Sequence, residues 1–353
     1  MAQPIKHLPR RSFVSWLARL PRRVLMMSAV VVATALVVGL YPLWAVLALV
    51  LDAATDWRAK RRIRVLTLIA LFLVNEIFGM FGLFVAWIAT GFGWQMHSAH
   101  SYRFHGWLHG KWTSNIMRVT ELTLDTEIRI TGAELVDPSP VIAIQRHICL
   151  LDAVMPSALL AHGRPDAPRH VLMRELRFDP CIDTLGFRTP NHFVDRASGN
   201  PREIEAIGAV GATIGPGGSG VIFPEGGFRT AERFEKVVAS ITHNNPRLAH
   251  RAGRYRHVMP PRVTGLRALL DTAPGVDVIA IAHVGFEGMG SIAEIIREAP
   301  IGRPVNVELR RIPRSSIPDD PQLFEDWLFD VYDWIDDYVD ADLTGHAQQL
   351  KAS

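Results

Sequence analysis

The stretch Gln145-Arg146-His147-Ile148-Cys149-Leu150-Leu151-Asp152 sets an imidazole and a carboxylate five residues apart, directly after an apolar run. A hydroxyl is a poor nucleophile until a base removes its proton, and an imidazole, with an ordinary pKa of ~6.5, is the natural base near neutrality. A carboxylate on the far ring nitrogen would fix the tautomer and stabilise the imidazolium that forms. His147 and Asp152 are therefore the candidate base and its orienting partner, and the chemistry they suit is acyl transfer to an alcohol. No enzyme serine is required, because the acceptor's own hydroxyl attacks. Alone, the spacing favours a surface histidine beside a helix-capping aspartate.

Two downstream runs give the pair company. Phe223-Pro224-Glu225-Gly226-Gly227-Phe228-Arg229-Thr230 crowds a carboxylate, two glycines and an arginine at the end of another apolar step. Glycines let backbone approach a ligand closely, and arginine grips phosphate through two parallel hydrogen bonds. Between the runs lies Pro190-Asn191-His192-Phe193-Val194-Asp195-Arg196, a second Asp-Arg pair. Glu225, Gly226, Gly227, Arg229, Asp195 and Arg196 thus become candidates for holding an anionic substrate, with Arg146 as a further phosphate contact. Each arginine, taken singly, is also what an ordinary surface ion pair looks like. A metal-dependent hydrolase with His147 as ligand is the weaker alternative. His97, His100, His105, His243 and His283 form no recognisable ligand motif, and no metal is expected.

The elements that must position these groups read as α/β. Leu122, Leu124, Thr126, Ile128 and Ile130 alternate with polar neighbours as a half-buried strand would, ending at Gly132. Val141 to Ile144 and Gly220 to Phe223 read as short buried strands, and Val276 to Val284 and Val305 to Leu309 complete the list. Pro201 to Ile214 reads as a helix stopped by Gly215. Gly215-Pro216-Gly217-Gly218-Ser219-Gly220 follows a helix and opens a strand, the reverse of a phosphate loop, so a tight connection is expected. Helices and strands intermix, which predicts a mixed sheet covered by helices.

A membrane region precedes this domain. Val24 to Leu51 contains no charged residue, enough helix to cross a hydrocarbon core of ~30 Å at ~1.5 Å per residue. Pro42 should kink it, and Trp16 and Trp57 flank it at interfacial positions. The run is too long for a signal-peptide core, and a second one follows at Val65 to Trp94, interrupted by Asn75 and Glu76. A carboxylate at that depth should face protein or water, or be protonated. The pair predicts a two-helix hairpin, either spanning or re-entrant. Basic residues on both flanks leave its orientation open. Ser98 to Thr120 reads as an interfacial connector. The expected divisions are 1–97 for the membrane region, 98–318 for the catalytic domain and 319–353 for an acidic amphipathic helix and tail. In that last part Trp327, Leu328, Val331, Ile335, Tyr338 and Val339 share one stripe.

Bulk composition agrees with a membrane setting. Hydrophobic residues make up 48% of the 353, above the share of charged ones at 21%. Lys and Arg number 38 against 35 Asp and Glu, and ten of the acids lie between 319 and 342, leaving a basic body suited to anionic headgroups. No nucleic-acid motif is present. The two cysteines, Cys149 and Cys181, form no metal-type pair, which fits a reducing compartment.

The ordered set of blocks resembles the 1-acylglycerol-3-phosphate O-acyltransferase superfamily, marked by H-x-x-x-x-D, an apolar step ending in Asp-Arg, and F-P-E-G-T-R. His147 and Asp152 match the first block, Phe193 to Arg196 the second and Phe223 to Gly226 the third. Pro261-Arg262-Val263-Thr264-Gly265 is similar to a stretch of the branch containing lysocardiolipin-type enzymes. The resemblance covers about Gly132 to Leu309. It implies a glycerolphosphate acyltransferase-like fold, with His147 as base, Asp152 as its partner, and Arg196, Glu225 and Arg229 around a glycerol phosphate. It further implies membrane lipids as partners, a lysophospholipid acceptor, an acyl-CoA or acyl-carrier-protein thioester as co-substrate, and no cofactor. The location implied is a bacterial inner membrane on its cytoplasmic face, or an endoplasmic reticulum or mitochondrial membrane. Two departures bear on the acceptor: Arg146 stands where many members have Asn, and E-G-G-F-R displaces the arginine by one position. A catalytically inactive, membrane-anchored lipid-binding or scaffold protein of the same fold is the other reading.

Overall fold

The computed structural model describes residues 19–161, 164, 166–195 and 200–352. The uncharged run from Val24 forms two helices, α1 (Leu20–Gly39) and α2 (Tyr41–Thr55), parted at Leu40 because Pro42 in the first turn of α2 has no N–H to continue the ladder. The second run forms α3 (Arg61–Ala89), which ends short of Trp94; Gly91, Phe92 and Gly93 then turn the chain with positive φ. By length and composition, α1 and α3 could each cross a membrane, yet 39% of the apolar window of α3 is buried against 6% of that of α1. Trp16 lies outside the described residues.

Ser98 to Thr120 is a helix instead of a connector: α4 (Ala99–Leu124), N-capped by the Ser98 hydroxyl, which accepts from Ser101 N at 3.2 Å. The helix extends through Leu122 and Leu124, where alternation suggested strand. Thr120, Thr123 and Leu124 are buried, a three-and-four spacing that belongs to the face packed on α3, and Leu122 is exposed. Asp125, in the left-handed region at φ 54°, ends the helix, and only β1 (Ile128–Thr131) is strand. The α3–α4 seam gives partners to both polar residues at the middle of α3, although Glu76 Oε2 has none among the described residues. Asn75 donates to Trp112 O at 3.0 Å and accepts from Asn115 at 2.9 Å, and Glu76 accepts from Trp112 Nε1 at 3.0 Å. Glu76 thus faces protein.

The sheet continues with β2 (Val141–Gln145), followed by the short helices α5 (Leu150–Ala153) and α6 (Met155–Leu160). Then come β3 (Arg169–Met173), α7 (Pro180–Arg188), β4 (His192–Val194), α8 (Arg202–Gly211) and β5 (Ser219–Ile222). Next are α9 (Ala231–Asn244), α10 (Pro246–Gly253), α11 (Val263–Thr272), β6 (Asp277–Val284), α12 (Ile292–Glu298), β7 (Val305–Ile312) and α13 (Pro321–Ala352). The strand order is β1-β7-β6-β2-β5-β3-β4, with only the β6–β7 pair antiparallel. This is the expected mixed sheet covered by helices. β2 sits between β5 and β6 in parallel register, Ala143 facing both Val221 and Ile279, so every side chain of β2 is buried. β3 and β4 were absent from the strand expectations because each is short and only partly apolar.

Two apolar layers flank the sheet. On one side Ile142, Ile144, Leu266 and Leu269 pack with Leu328, Phe329 and Ile335 of α13. On the other, Val141 and Ala143 pack with Leu124, Met155 and Phe286. The buried stripe of α13 includes Leu328, Val331, Ile335 and Val339, while acids on its other face pair with Arg247, Arg251 and Arg256.

Candidate active site

β2, β5, β3 and β4 are parallel, so their C-terminal ends form one rim, and the singled-out blocks follow β2, β5 and β4 on that rim. The β2 end is rigid because the strand is buried on both faces. His147 leaves it two residues on, and the turn into α5 returns Asp152 to the ring: Nδ1 lies 2.6 Å from Asp152 Oδ1. The other oxygen, Oδ2, accepts from Ile148 N at 2.7 Å and Cys149 N at 3.0 Å. Burial by itself would raise this carboxyl, but the hydrogen bond and charge of His147, then His283 and the Ile148 N–H, outweigh it and hold it below the ordinary range. An ionised carboxylate only accepts, so Nδ1 must donate and Nε2 carries the lone pair. Nε2 makes no hydrogen bond to any described residue.

The ring is clamped by aromatics. Phe223 stacks on it at 4.3 Å between centroids and Phe228 meets it edge-on at 4.4 Å. Phe228 belongs to the extra residue that separates E-G-G-F-R from E-G-T-R. Glu225 is buried on the same rim, and its Oε2 accepts from His147 N at 3.3 Å while Oε1 has no partner among the described residues. Burial pushes the Glu225 carboxyl well above its ordinary value, opposed by Arg146 and the His147 N–H. Gly226 and Gly227, at φ 72° and 143°, turn the chain in a region that a side chain resists. Arg233 wraps this turn, donating to Glu225 O at 2.6 Å and Phe228 O at 2.8 Å.

Residues 127–281 match the family model described as Acyltransferase. These residues are an acyltransferase-family domain. The chain is also similar to the crystal structure of the 1-acyl-sn-glycerophosphate (LPA) acyltransferase, PlsC, from Thermotoga maritima. The identity is 14%, covering 76% of this chain and 96% of that one, with a TM-score of 0.41. No curated protein matches the chain. The H-x-x-x-x-D pair and the F-P-E-G block both lie inside the acyltransferase domain.

The remaining candidate residues stand as follows. Arg146 is fully buried and turned away from solvent, ion-paired with Glu287, which Arg303 also holds at 3.2 Å. That places it under the rim as a structural cation, away from any exposed phosphate contact. Arg229 donates from Nε to Val258 O at 3.3 Å and lies 4.6 Å over the Phe234 ring, leaving its terminal nitrogens without hydrogen bonds to described residues. Asp195, at the end of β4, pairs with Arg174. Arg196 lies outside the described residues. Three backbone donors of the two turns are committed: Ile148 N and Cys149 N serve Asp152, and Gly226 N serves Phe223 O.

Sequence reasoning missed the supports. His283 on β6 approaches Asp152 Oδ2 at 3.7 Å, and burial, then Arg146, lowers its ring to about 4, so it stays neutral. Asp336 of α13 accepts from the backbone N–H of Arg256, His257 and Val258 at 3.1, 2.6 and 3.0 Å, fixing the loop whose carbonyls hold Arg146 and Arg229. Tyr332 donates to Gln145 O at 3.2 Å, bracing the end of β2. The amphipathic stripe of α13 was the one available signal. As for metals, Glu76, Asp179 and Cys181 bring ligand atoms within 4.8 Å of one another at the α3–α7 contact. There Asp179 caps α7 and the Cys181 thiol donates to Glu76 O, so both are in structural use.

Proposed function

We propose that the chain transfers a fatty acyl group from an acyl-CoA or acyl-carrier-protein thioester to the free hydroxyl of a lysophospholipid such as 1-acylglycerol 3-phosphate, at a membrane. The observation that carries this reading is His147 held through Nδ1 by an ionised Asp152, with Nε2 open beside the 225–229 turn. Nε2 takes the acceptor's proton as its oxygen attacks the thioester carbonyl, and Asp152 stabilises the imidazolium. The tetrahedral oxyanion collapses, the C–S bond breaks, and the departing thiolate receives the proton from Nε2. The Gly227 N–H makes no hydrogen bond to a described residue and is the candidate oxyanion donor, an interaction worth ~2.7–4 kcal/mol of such a barrier.

Phe223 and Phe228 keep water from the imidazole and give the acyl thioester an apolar wall. Arg229, with Glu225 and Arg196, would receive the acceptor's phosphate. Apolar α1, α2 and α3 present exposed Leu25, Val32, Leu47 and Phe81, a surface that suits embedding in lipid. The membrane would be the bacterial inner membrane, cytoplasmic face, in a prokaryote, and the endoplasmic reticulum or mitochondrial membrane otherwise. Purified protein given acyl-CoA or acyl-carrier protein and a panel of lysolipids tests this. Thiol release with a new diacyl product is expected. No transfer to any hydroxyl acceptor, with the fold intact, would overturn the enzyme reading in favour of a lipid-binding scaffold.

A further inference from the structure

Where α1 begins, its basic residues reach back to α7. Arg22 Nη2 lies 2.6 Å from Asp183 Oδ1, Arg23 Nε lies 2.6 Å from Oδ2, and Arg177 Nε lies 3.8 Å from Oδ1. Three guanidinium groups thus converge on one fully buried carboxylate. Arg188 stands close enough to Arg23 to be lowered by it, after burial, and Asp179 is the other acid in the group. Around Asp183 itself, three guanidinium groups face one carboxylate. No acid lies between Arg19 and Leu51. Arg23 and Arg177 also lie 5.6 and 5.5 Å from the Phe187 centroid, which holds them together despite their repulsion. The Nε atoms of Arg22 and Arg177 are buried without a hydrogen-bond partner among the described residues.

Position supplies the second observation. Arg22 and Arg23 immediately precede the uncharged run that starts at Val24. If that run is in hydrocarbon, the guanidinium groups stand at the depth of lipid phosphates. Arginine's planar fork matches a phosphate better than a point charge would, and it remains charged when partly desolvated.

We propose that Arg22, Arg23 and Arg177 form a site for the phosphate of an anionic membrane phospholipid, docking the α7 side of the catalytic domain onto the leaflet that α1 enters. This rests on the membrane reading of α1. It is separate from the His147 rim, since none of its residues contacts that imidazole.

The test uses the full chain in neutral detergent, titrated with phosphatidylglycerol, phosphatidylcholine, inorganic phosphate and 1-acylglycerol 3-phosphate. Wild type should bind phosphatidylglycerol more tightly than phosphatidylcholine and far more tightly than inorganic phosphate. Arg177→Gln should weaken phosphatidylglycerol about fivefold, and Arg22→Gln with Arg177→Gln about 25-fold. Arg129→Gln, at an exposed ion pair elsewhere, should change nothing. Arg177 is peripheral to the pair, so the single variant carries the test if the double variant fails to fold. Phosphatidylglycerol binding unchanged in Arg177→Gln would overturn the site. So would inorganic phosphate matching the lipid, or a raised KM for 1-acylglycerol 3-phosphate with phosphatidylglycerol binding intact. Recovery of the chain in the soluble fraction without detergent would instead remove the membrane reading beneath it.

Discussion

Around His147 the buried charges are matched, whereas at the seam of α1 and α7 they are not. Asp152 divides its two oxygens among the His147 ring and two backbone N–H groups, with His283 beside them, and Arg146 is sealed against Glu287. At the seam Arg22, Arg23 and Arg177 share Asp183 and keep partial exposure. A buried ion pair recovers its desolvation cost only through good geometry and hydrogen bonding, which Asp152 has on both oxygens. The carboxylate and its imidazole are therefore held in one arrangement, even though Arg146 Nε and the His283 nitrogens find no hydrogen-bond partner among the described residues. The seam arginines keep unused donors on side chains that are partly exposed, unlike fully buried Arg146 and His283, which suits a partner that the chain does not itself contain. Rigidity thus lies where a proton would move, and open valence where a headgroup would sit.

The contrast is broken most severely at His147. His147→Ala should lower kcat by on the order of 10^2 to 10^4-fold, with an unchanged far-ultraviolet circular dichroism spectrum. Comparable turnover in the variant would dismiss the base. Asp152→Asn should lose a comparable part of kcat and also about 1–3 kcal/mol of stability at neutral pH, because two backbone donors and the ring lose their ionised acceptor. Asp152 is held below its ordinary value, so its contribution is present above the usual carboxylate range and is lost as pH falls through the depressed value. Chemical denaturation of both proteins from pH 7 downward should show the gap closing; a constant gap would mean that Asp152 is not ionised in the fold.

Arg229→Gln sharpens the comparison at the rim's edge. With its terminal nitrogens uncommitted, it should raise KM for the phosphate-bearing acceptor about tenfold and leave KM for the thioester nearly unchanged, about the loss of one charged hydrogen bond. Equal shifts in both constants would argue against a phosphate role. The smallest effect is Glu225→Gln on stability. Burial raises this carboxyl, so the stability of the protonated form is present below the ordinary range and is lost as pH rises through the folded value. Wild type should therefore melt progressively below the Gln variant between neutral and alkaline pH. Parallel melting curves would mean that Glu225 does not take up a proton on folding.

Several features were legible because they are local. Val141 to Ile144 and Val278 to Ala282 are uninterrupted apolar steps, which only a strand buried on both faces accommodates. The His147–Asp152 spacing sufficed because one turn after a strand end brings the two together. The strand expected from Leu122 failed for a related reason. Two-residue alternation over a few positions cannot be told from the end of a helix unless the surface it packs on is known, and α3 provides that surface. Likewise β3 and β4 are defined by the ladder that β5 offers them more than by their own apolar content.

By itself the sequence determined the order of the chemical blocks, the apolar N-terminal helices and a mixed α/β sheet, since apolar period and short-range spacing are properties of the chain. Tertiary structure alone decided that Arg146 lies buried against Glu287, that Phe228 covers the imidazole, that Asp336 and Tyr332 of α13 brace the rim, and that Arg22 and Arg23 close on Asp183. The reason is physical: burial and charge pairing depend on which distant segment arrives beside a residue, and partners some 80 to 190 positions apart leave no periodic mark.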